Sequence, residues 1–191
     1  PTIQSPMKVM RLAKEEHCLH DIERITLFKS AQAYLDLEDS GLVPPNRLLF
    51  VNSIASQYLN DGETAEFCRR FHRLLPQCVT EITEEEELDI SILRRKRDFP
   101  GGSTIFALDD YGSGYNSEVT LLALSPHYIK VDLSIIRDID TDPNKQQIVS
   151  NIVHYAHQRN MEIIAEGLET ASEVRKVIEL GVDLLQGYFL A

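Results

Sequence analysis

The stretch TIFALDDYGSGYNS, residues 104–117, ends an apolar run with two adjacent carboxylates and continues at once into a loop with two glycines. Asp109 and Asp110 repel each other unless a cation, hydrogen bonds or solvent offset their charges. Because Asp and Gly are ordinary turn residues, the stretch by itself also fits a solvated turn. The rest of the chain decides between a turn and a cation site.

Similar apolar runs recur along the chain and predict six strands. They are RLLFVNS (47–53), CVTEIT (78–83), STIFALDD (103–110), YIKVDL (128–133), MEIIAEGL (161–168) and VDLLQGYFL (182–190). Helix-patterned segments lie between them, which predicts a parallel sheet covered by helices. The pattern fits a doubly wound sheet or most of a (β/α)8 barrel. A complete barrel takes about 250 residues, so as a barrel this chain would be short by roughly two strands.

Two of the helical segments carry detailed signals. In residues 144–160 one face is predicted to hold Ile148, Ile152, Val153 and Ala156. In residues 170–181, Glu173 follows Thr170 by three positions, as in a capping box, and Gly181 stands where a helix would end.

Composition limits the class of protein. The chain has 191 residues, 43% of them hydrophobic and 26% charged, as expected of one globular domain. It has no apolar run of the ~20 residues that a membrane span needs and no signal-peptide pattern. Three cysteines without metal-ligand spacing predict a reducing, cytoplasmic setting. A net charge of −11 disfavours binding to nucleic acid polymers or anionic membranes.

Polar side chains lie within or near the carboxyl end of every predicted strand. They are Asn52, Glu81, Asp109 with Asp110, Lys130 with Asp132, Glu166 with Glu169, and Gln186. In barrels the catalytic groups project from that rim. Carboxylates with an amide suit Mg²⁺ or Mn²⁺, and a lysine among them can hold a water or a phosphate oxygen. This set predicts a two-metal phosphoester hydrolase, with ions about 3.5–4 Å apart.

The same residues resemble a family. ALDDYGSGYNS is similar to the signature loop of EAL domains, bacterial phosphodiesterases that cleave cyclic di-GMP to linear pGpG. The resemblance continues in order through FVNS, TEITE, YIKVDLSII, IIAEGLET and GVDLLQGYFLA, and covers residues 45–191 closely. It implies an α/β fold of the (β/α)8 TIM-barrel type, in one domain over residues 1–191.

The resemblance also implies a role for each polar residue. The metal ligands would be Asn52, Glu81, Asp109 and, for the second metal, Asp110. The catalytic group would comprise Lys130, holding the attacking water or a phosphate oxygen, Glu166, as a ligand or general base, and Gln186. Asp132 would face the substrate. Glu84 and Glu169 would brace the loop of residues 111–117, and residues that hold metal ligands in place affect metal binding indirectly.

One departure from the family matters. The Glu-Ala-Leu motif that names it is absent from these 191 residues, together with its strand and the arginine that usually follows. The glutamate of that motif would be a metal ligand. We therefore expect a domain truncated at its amino end, and a fragment rather than a natural truncation, because the barrel would otherwise have an unclosed edge.

Other functions stay open at the level of sequence. The missing motif suits a cyclic di-GMP receptor or protein-interaction module that binds without turnover. An enolase-like barrel would also use strand-end carboxylates for Mg²⁺ and a lysine as base. A Schiff-base role for Lys130 is disfavoured, because the surrounding carboxylates would raise its pKa. Partners predicted from the family are a second copy of the chain and an upstream sensory or GGDEF domain.

Overall fold

The computed structural model describes residues 5–83, 89–97, 104–114 and 117–190, in which strands alternate with helices. The helices are α1 Pro6–Glu15, α2 Leu19–Asp39, α3 Asp61–Phe71, α4 Ile90–Arg97, α5 Ser117–Leu124, α6 Leu133–Ile136, α7 Pro143–His157 and α8 Ala171–Glu179. The strands are β1 Leu49–Asn52, β2 Cys78–Thr83, β3 Ile105–Tyr111, β4 Tyr128–Val131, β5 Glu162–Ala165 and β6 Leu184–Leu185. Short 3₁₀ turns cover Leu75–Gln77 and Tyr188–Leu190.

The six strands form one sheet in chain order, β1 to β6. The pairs β3–β4, β4–β5 and β5–β6 are parallel. This arrangement confirms the predicted α/β class with helices connecting parallel strands. The chain divides into two compact units, residues 1–80 with 88–104 and residues 81–87 with 105–191, so that β2 contributes to both. The prediction of a single domain over residues 1–191 stays a prediction.

The sixth predicted strand was too long. Instead of residues 182–190, only Leu184 and Leu185 are extended, and a 3₁₀ turn follows. A Cβ atom on Gly187 would lie 2.2 Å from the carbonyl oxygen of Leu168, so only glycine permits this close approach. Leu168 also accepts a hydrogen bond from the Phe189 amide at 3.0 Å, which holds the chain in a turn.

The first unit has an aromatic core between α2 and α3. The ring of Phe28 meets those of Phe67 and Phe71 edge-on, with centroids 5.3 and 5.8 Å away. Helix α3 begins with a capping box in which Asn60 and Glu63 bond each other's backbone N–H. The aromatic contacts therefore fix α3 against α2 beside β1.

A buried ion pair lies in the same unit. Lys96 Nζ is 2.8 Å from Glu23 Oε1 and 2.5 Å from Ser53 Oγ. Glu23 also accepts hydrogen bonds from Ser53 Oγ at 2.5 Å and the Ile54 amide at 2.7 Å. Glu23 is 1% exposed, so its charge depends on these partners rather than on water.

We expect Lys96→Met to lower the free energy of unfolding by about 3–5 kcal/mol, because it leaves the Glu23 carboxylate buried without a counter-charge. Urea unfolding measures the change. The exposed Arg73, which pairs with Asp39 at 2.6 Å, supplies the control Arg73→Met, with little expected effect. Equal losses in the two variants would contradict the prediction.

The second unit is built on the runs Phe106–Leu108, Ile129–Val131 and Ile163–Ala165, whose side chains are all at most 5% exposed. Such runs mark strands covered on both faces.

The predicted capping box at Thr170 and Glu173 is confirmed. Helix α8 ends just before Gly181, which takes a left-handed backbone conformation. On α7, Ile152, Val153 and Ala156 are buried as predicted, but Ile148 is 46% exposed and Val149 takes the inward position. No described helix is long and apolar enough to cross a lipid bilayer.

Glu173 is a buried carboxylate, 2% exposed, that accepts backbone N–H bonds. Burial raises its pKa, but the bonds from Glu169, Asp138 and Thr170 outweigh burial and hold the pKa below its ordinary value. A lowered folded-state pKa stabilises the fold above the unfolded pKa of about 4.3 and loses that stabilisation as the pH falls. We therefore expect Glu173→Gln to cost about 1.5–3 kcal/mol at pH 7 and progressively less below about pH 4, measured by urea unfolding across pH. A cost independent of pH would contradict this.

Candidate active site

Lys130 stands at the centre of a group of carboxylates in the second unit. Its Nζ lies 2.6 Å from Glu81 Oε1, 2.8 Å from Asp109 Oδ1 and 2.8 Å from Glu166 Oε1. These residues come from β2, β3, β4 and the position directly after β5, which are neighbours in the sheet. Parallel strands bring such positions to one edge, so the predicted convergence of these four side chains is observed.

Burial makes these charges interact strongly. Lys130, Glu81 and Asp109 are between 5% and 8% exposed. Burial acts to lower the pKa of Lys130, but the hydrogen bonds from Asp109, Glu166 and Glu81 outweigh it and raise the pKa above its ordinary value. This direction agrees with the sequence-based argument against a Schiff-base lysine, which needs a neutral amine.

The pKa values of the two glutamates are also raised, but for a different reason. Burial raises the pKa of Glu81, and the opposing bond to Lys130 does not cancel it. Burial likewise raises the pKa of Glu166 despite Lys130, with a further contribution from the charges of Asp109 and Asp110. Both glutamates are buried close to further negative charges, which the single positive charge of Lys130 does not balance.

A bulge at the end of β3 explains the adjacent aspartates. Leu108 pairs with Ile129 and Tyr111 with Val131, so β3 uses three steps where β4 uses two. Asp110 takes a left-handed backbone conformation, with φ of 58°. In a regular strand neighbouring side chains point to opposite faces, whereas a bulge redirects one of them. Such strained backbone is concentrated at functional sites.

The bulge brings three carboxylates within reach of one cation. Single oxygens of Asp109, Asp110 and Glu166 all lie within 4.8 Å of one another. Oxygens on opposite sides of a Mg²⁺ or Ca²⁺ ion lie about 4–5 Å apart. An all-carboxylate oxygen set at this spacing fits a hard divalent cation. We call Glu81, Asp109, Asp110 and Glu166 the carboxylate cluster.

The other candidate residues lie outside this group of contacts. Asp132 is the N-cap of α6 and accepts a hydrogen bond from the Ser134 amide at 2.8 Å. Gln186 is exposed, and its backbone N–H donates to the Ala165 carbonyl at 2.9 Å. The substrate-facing role of Asp132 and the catalytic role of Gln186 stay predictions.

Three further predicted residues complete the set. Asn52 ends β1 in the first unit and is exposed. Glu169 forms an ion pair with Arg137, whose Nη2 lies 2.5 Å from Glu169 Oε1. Glu84 lies outside the described residues. Their roles as metal ligand and as loop braces are likewise untested predictions.

Sequence reasoning missed Arg137. It lies 32 positions before its partner Glu169 and follows the one-turn helix α6. No local spacing signals such a pair, because the two residues meet only through the fold. Glu173 was recognised by its capping-box position alone, which does not reveal its third bond, to the Asp138 amide at 3.0 Å.

Comparison with known proteins agrees with this geometry. Cyclic di-GMP phosphodiesterase PdeL of Escherichia coli K12 is 32% identical over 152 residues, covering 77% of this chain and 42% of PdeL. The structure of PaMucR phosphodiesterase in complex with c-di-GMP superposes with a TM-score of 0.79 and 25% identity, over 98% of this chain and 77% of that one. Klebsiella pneumoniae BlrP1, solved with manganese and cyclic di-GMP, gives a TM-score of 0.72 and 26% identity, over 88% of this chain and 44% of that one.

These similarities confirm the TIM-type barrel as the fold class. The chain spans less than half the length of each of the first three curated relatives, which it covers to 11%, 16% and 42%. The model of the EAL domain family matches residues 1–191. The chain therefore belongs to the EAL domain family.

Proposed function

We propose that this protein hydrolyses cyclic di-GMP to linear pGpG with the help of divalent cations. The proposal is based mainly on the group of Asp109, Asp110 and Glu166, whose oxygens lie within 4.8 Å of one another beside Lys130. Family membership and the phosphodiesterase names of relatives such as PdeL support the choice of substrate. The chain has a net charge of −11, so its acidic site would repel an anionic phosphodiester unless cations were bound between them.

The proposed cations are Mg²⁺ or Mn²⁺, in a two-metal site. The carboxylate cluster and Asn52 would hold them, since carboxylate and amide oxygens suit these ions. When bound, such ions lower the pKa of water and stabilise the leaving oxygen of the phosphodiester. The manganese complex of the similar BlrP1 supports a requirement for a divalent cation.

The side chains have separate tasks in the proposed reaction. Lys130, charged and held by three carboxylates, would fix the attacking water or a phosphate oxygen as a positive point charge. Glu166 would act either as a ligand of the cations or as the general base that accepts the proton of that water. The new bond joins the water oxygen to phosphorus, the bond from phosphorus to the 3′-oxygen breaks, and that oxygen takes up a proton. Asp132 and Gln186 would orient the substrate.

The second candidate is a receptor that binds cyclic di-GMP without cleaving it. The c-di-GMP complex of the similar PaMucR phosphodiesterase supports binding of the dinucleotide, which both candidates require. Two conditions separate the candidates. A receptor needs the ligand-binding surface alone, whereas hydrolysis needs the complete cation site.

The experiment is a hydrolysis assay with cyclic di-GMP, with and without Mg²⁺ or Mn²⁺, in which pGpG is separated by chromatography. It uses this chain and the protein extended upstream by one strand–helix unit. Formation of pGpG that stops on chelation supports the enzyme. Calorimetric binding without pGpG supports the receptor, and the absence of both rejects cyclic di-GMP as the ligand.

We also propose a homodimer, an upstream sensory or GGDEF domain, and a cytoplasmic location. The relative MucR of Pseudomonas aeruginosa, named a bifunctional diguanylate cyclase and phosphodiesterase, supports the domain partnership. Light scattering of the purified protein tests the dimer.

A further inference from the structure

Both carboxylate oxygens of Glu173 accept hydrogen bonds, although Glu173 is not part of the carboxylate cluster. Its Oε2 accepts the amides of Glu169 and Thr170, each at 3.0 Å, and its Oε1 accepts the amide of Asp138 at 3.0 Å. A capping box requires only the bond to the N-cap amide of Thr170. The bond to Asp138, 35 positions earlier, therefore serves something other than the start of α8.

The three bonds join two segments that each carry a predicted site residue. Residues 166–170, here the Glu166 loop, connect β5 to α8. Residues 132–138, here the Asp132 segment, follow β4 and contain α6. Glu173 bonds amides of both, and the Arg137–Glu169 ion pair joins them a second time.

The joined segments also touch close to the cluster. Gly167 is left-handed, with φ of 68°, and a Cβ atom there would lie 2.6 Å from the Cβ of Leu133. Just before it, the Glu166 amide donates to the Val131 carbonyl at 3.2 Å. The Glu166 loop thus contacts the Asp132 segment at Gly167 and at Glu169, and its first residue is bonded to the last residue of β4.

We propose that Glu173 is a positioning residue for the active site, which fixes the Glu166 loop against the Asp132 segment so that Glu166 stays in the carboxylate cluster. This inference rests on the proposed function. Glu166 contributes one of three oxygens grouped within 4.8 Å, so a displacement of about 1 Å would weaken cation binding. Outer-shell changes of this kind cost about 10–100-fold in metal affinity.

The test compares Glu173→Gln with Val177→Ala in the metal-stripped protein. Gln keeps the shape of Glu173 but places an amide N–H₂ against one of the backbone donors. Val177 lies on the same helix and is fully buried, and its side chain has no hydrogen-bonding group, so its truncation destabilises α8 without removing a bond to an amide of either segment. Manganese affinity is measured by electron paramagnetic resonance, and amide exchange of residues 166–170 by mass spectrometry.

We expect Glu173→Gln to weaken Mn²⁺ binding about 10–100-fold and to speed exchange in the Glu166 loop, while Val177→Ala binds Mn²⁺ as the wild type does. Unchanged affinity in Glu173→Gln, or equal weakening in both variants, overturns the proposal. Glu173→Asp, which keeps the charge with a shorter reach, should give an intermediate loss and serves if Gln prevents folding. If Mn²⁺ binding falls as expected but the wild type makes no pGpG, the positioning role stands and the proposed function fails. A wild type that binds no Mn²⁺ rejects both.

Discussion

Replacing Lys130 by methionine is expected to lower the rate of cyclic di-GMP hydrolysis by about 10²–10⁴-fold, even at saturating Mn²⁺. In the proposed reaction Lys130 supplies the positive charge that fixes the water or the phosphate oxygen, and its ammonium directly contacts three of the four carboxylates of the cluster. Methionine has similar length and keeps the packing of the stem. The measurement is the formation of pGpG under single-turnover conditions.

The same variant separates chemistry from cation binding. Without Lys130, Glu81, Asp109 and Glu166 lose their shared counter-charge, so metal-free Lys130→Met should be less stable by about 3–5 kcal/mol. A cation can replace the lost charge, and the removed ammonium no longer repels it. We therefore expect Mn²⁺ affinity to be retained or increased, and Mn²⁺ to raise the melting temperature more than in the wild type.

Lys176→Met is the matched control, because the ion pair of Lys176 in the described part of the chain is with the exposed Glu179 on α8, at 2.6 Å. It should leave hydrolysis and Mn²⁺ binding unchanged. Wild-type turnover in Lys130→Met would remove Lys130 from the mechanism. Loss of Mn²⁺ binding in that variant would show that the lysine supports the cation site instead of sharing the cluster with it.

The convergence of the cluster could be predicted from sequence because the geometry of parallel strands is general. Glu81, Asp109 and Lys130 lie in the carboxyl halves of neighbouring strands and Glu166 directly follows the next strand, and such positions share one edge of the sheet. The class of fold followed from the same alternation of strands and helices. These features depend on the spacing of apolar and polar residues along the chain, which is visible in a single sequence.

The bulge at Asp109 and Asp110 could not be predicted in this way. Strand alternation would send the two side chains to opposite faces, and only the altered register between Leu108 and Tyr111 changes this. The Arg137–Glu169 pair and the turn at Gly187 depend on contacts between distant segments, which leave no local spacing. Ile148 was placed inward on helical periodicity, but the inward direction of α7 is set by what packs against it, and Val149 is buried instead.

Asp110→Asn is expected to lower Mn²⁺ affinity by at least about 100-fold, because the loss of a direct carboxylate ligand should exceed the 10–100-fold cost of an outer-shell change. Asparagine tolerates the left-handed backbone that Asp110 adopts, with φ of 58°, so the substitution removes charge without reshaping the bulge. Asp109 is a less suitable target, because its Oδ1 contacts Lys130 at 2.8 Å and its substitution would also change that ion pair. Calorimetric titration of the metal-stripped protein measures the affinity.

The effect on stability should change sign with the metal. Without cations, Asp110→Asn relieves repulsion within the cluster, so the variant should melt at the wild-type temperature or above it. With Mn²⁺ present, the wild type gains stability from binding and the variant gains much less, so their order reverses. A simple loss of fold stability would instead lower both values together.

Asp138→Asn provides the control for backbone effects. Asp138 is also left-handed, with φ of 57°, and exposed, and it lies outside the carboxylate cluster. The same chemical change there should alter neither Mn²⁺ affinity nor the order of melting temperatures. If Asp110→Asn behaves like Asp138→Asn, the paired aspartates form a solvated turn and the cation must be held elsewhere. If only Asp110→Asn loses Mn²⁺ binding, the two carboxylates lie side by side because cations bind between them.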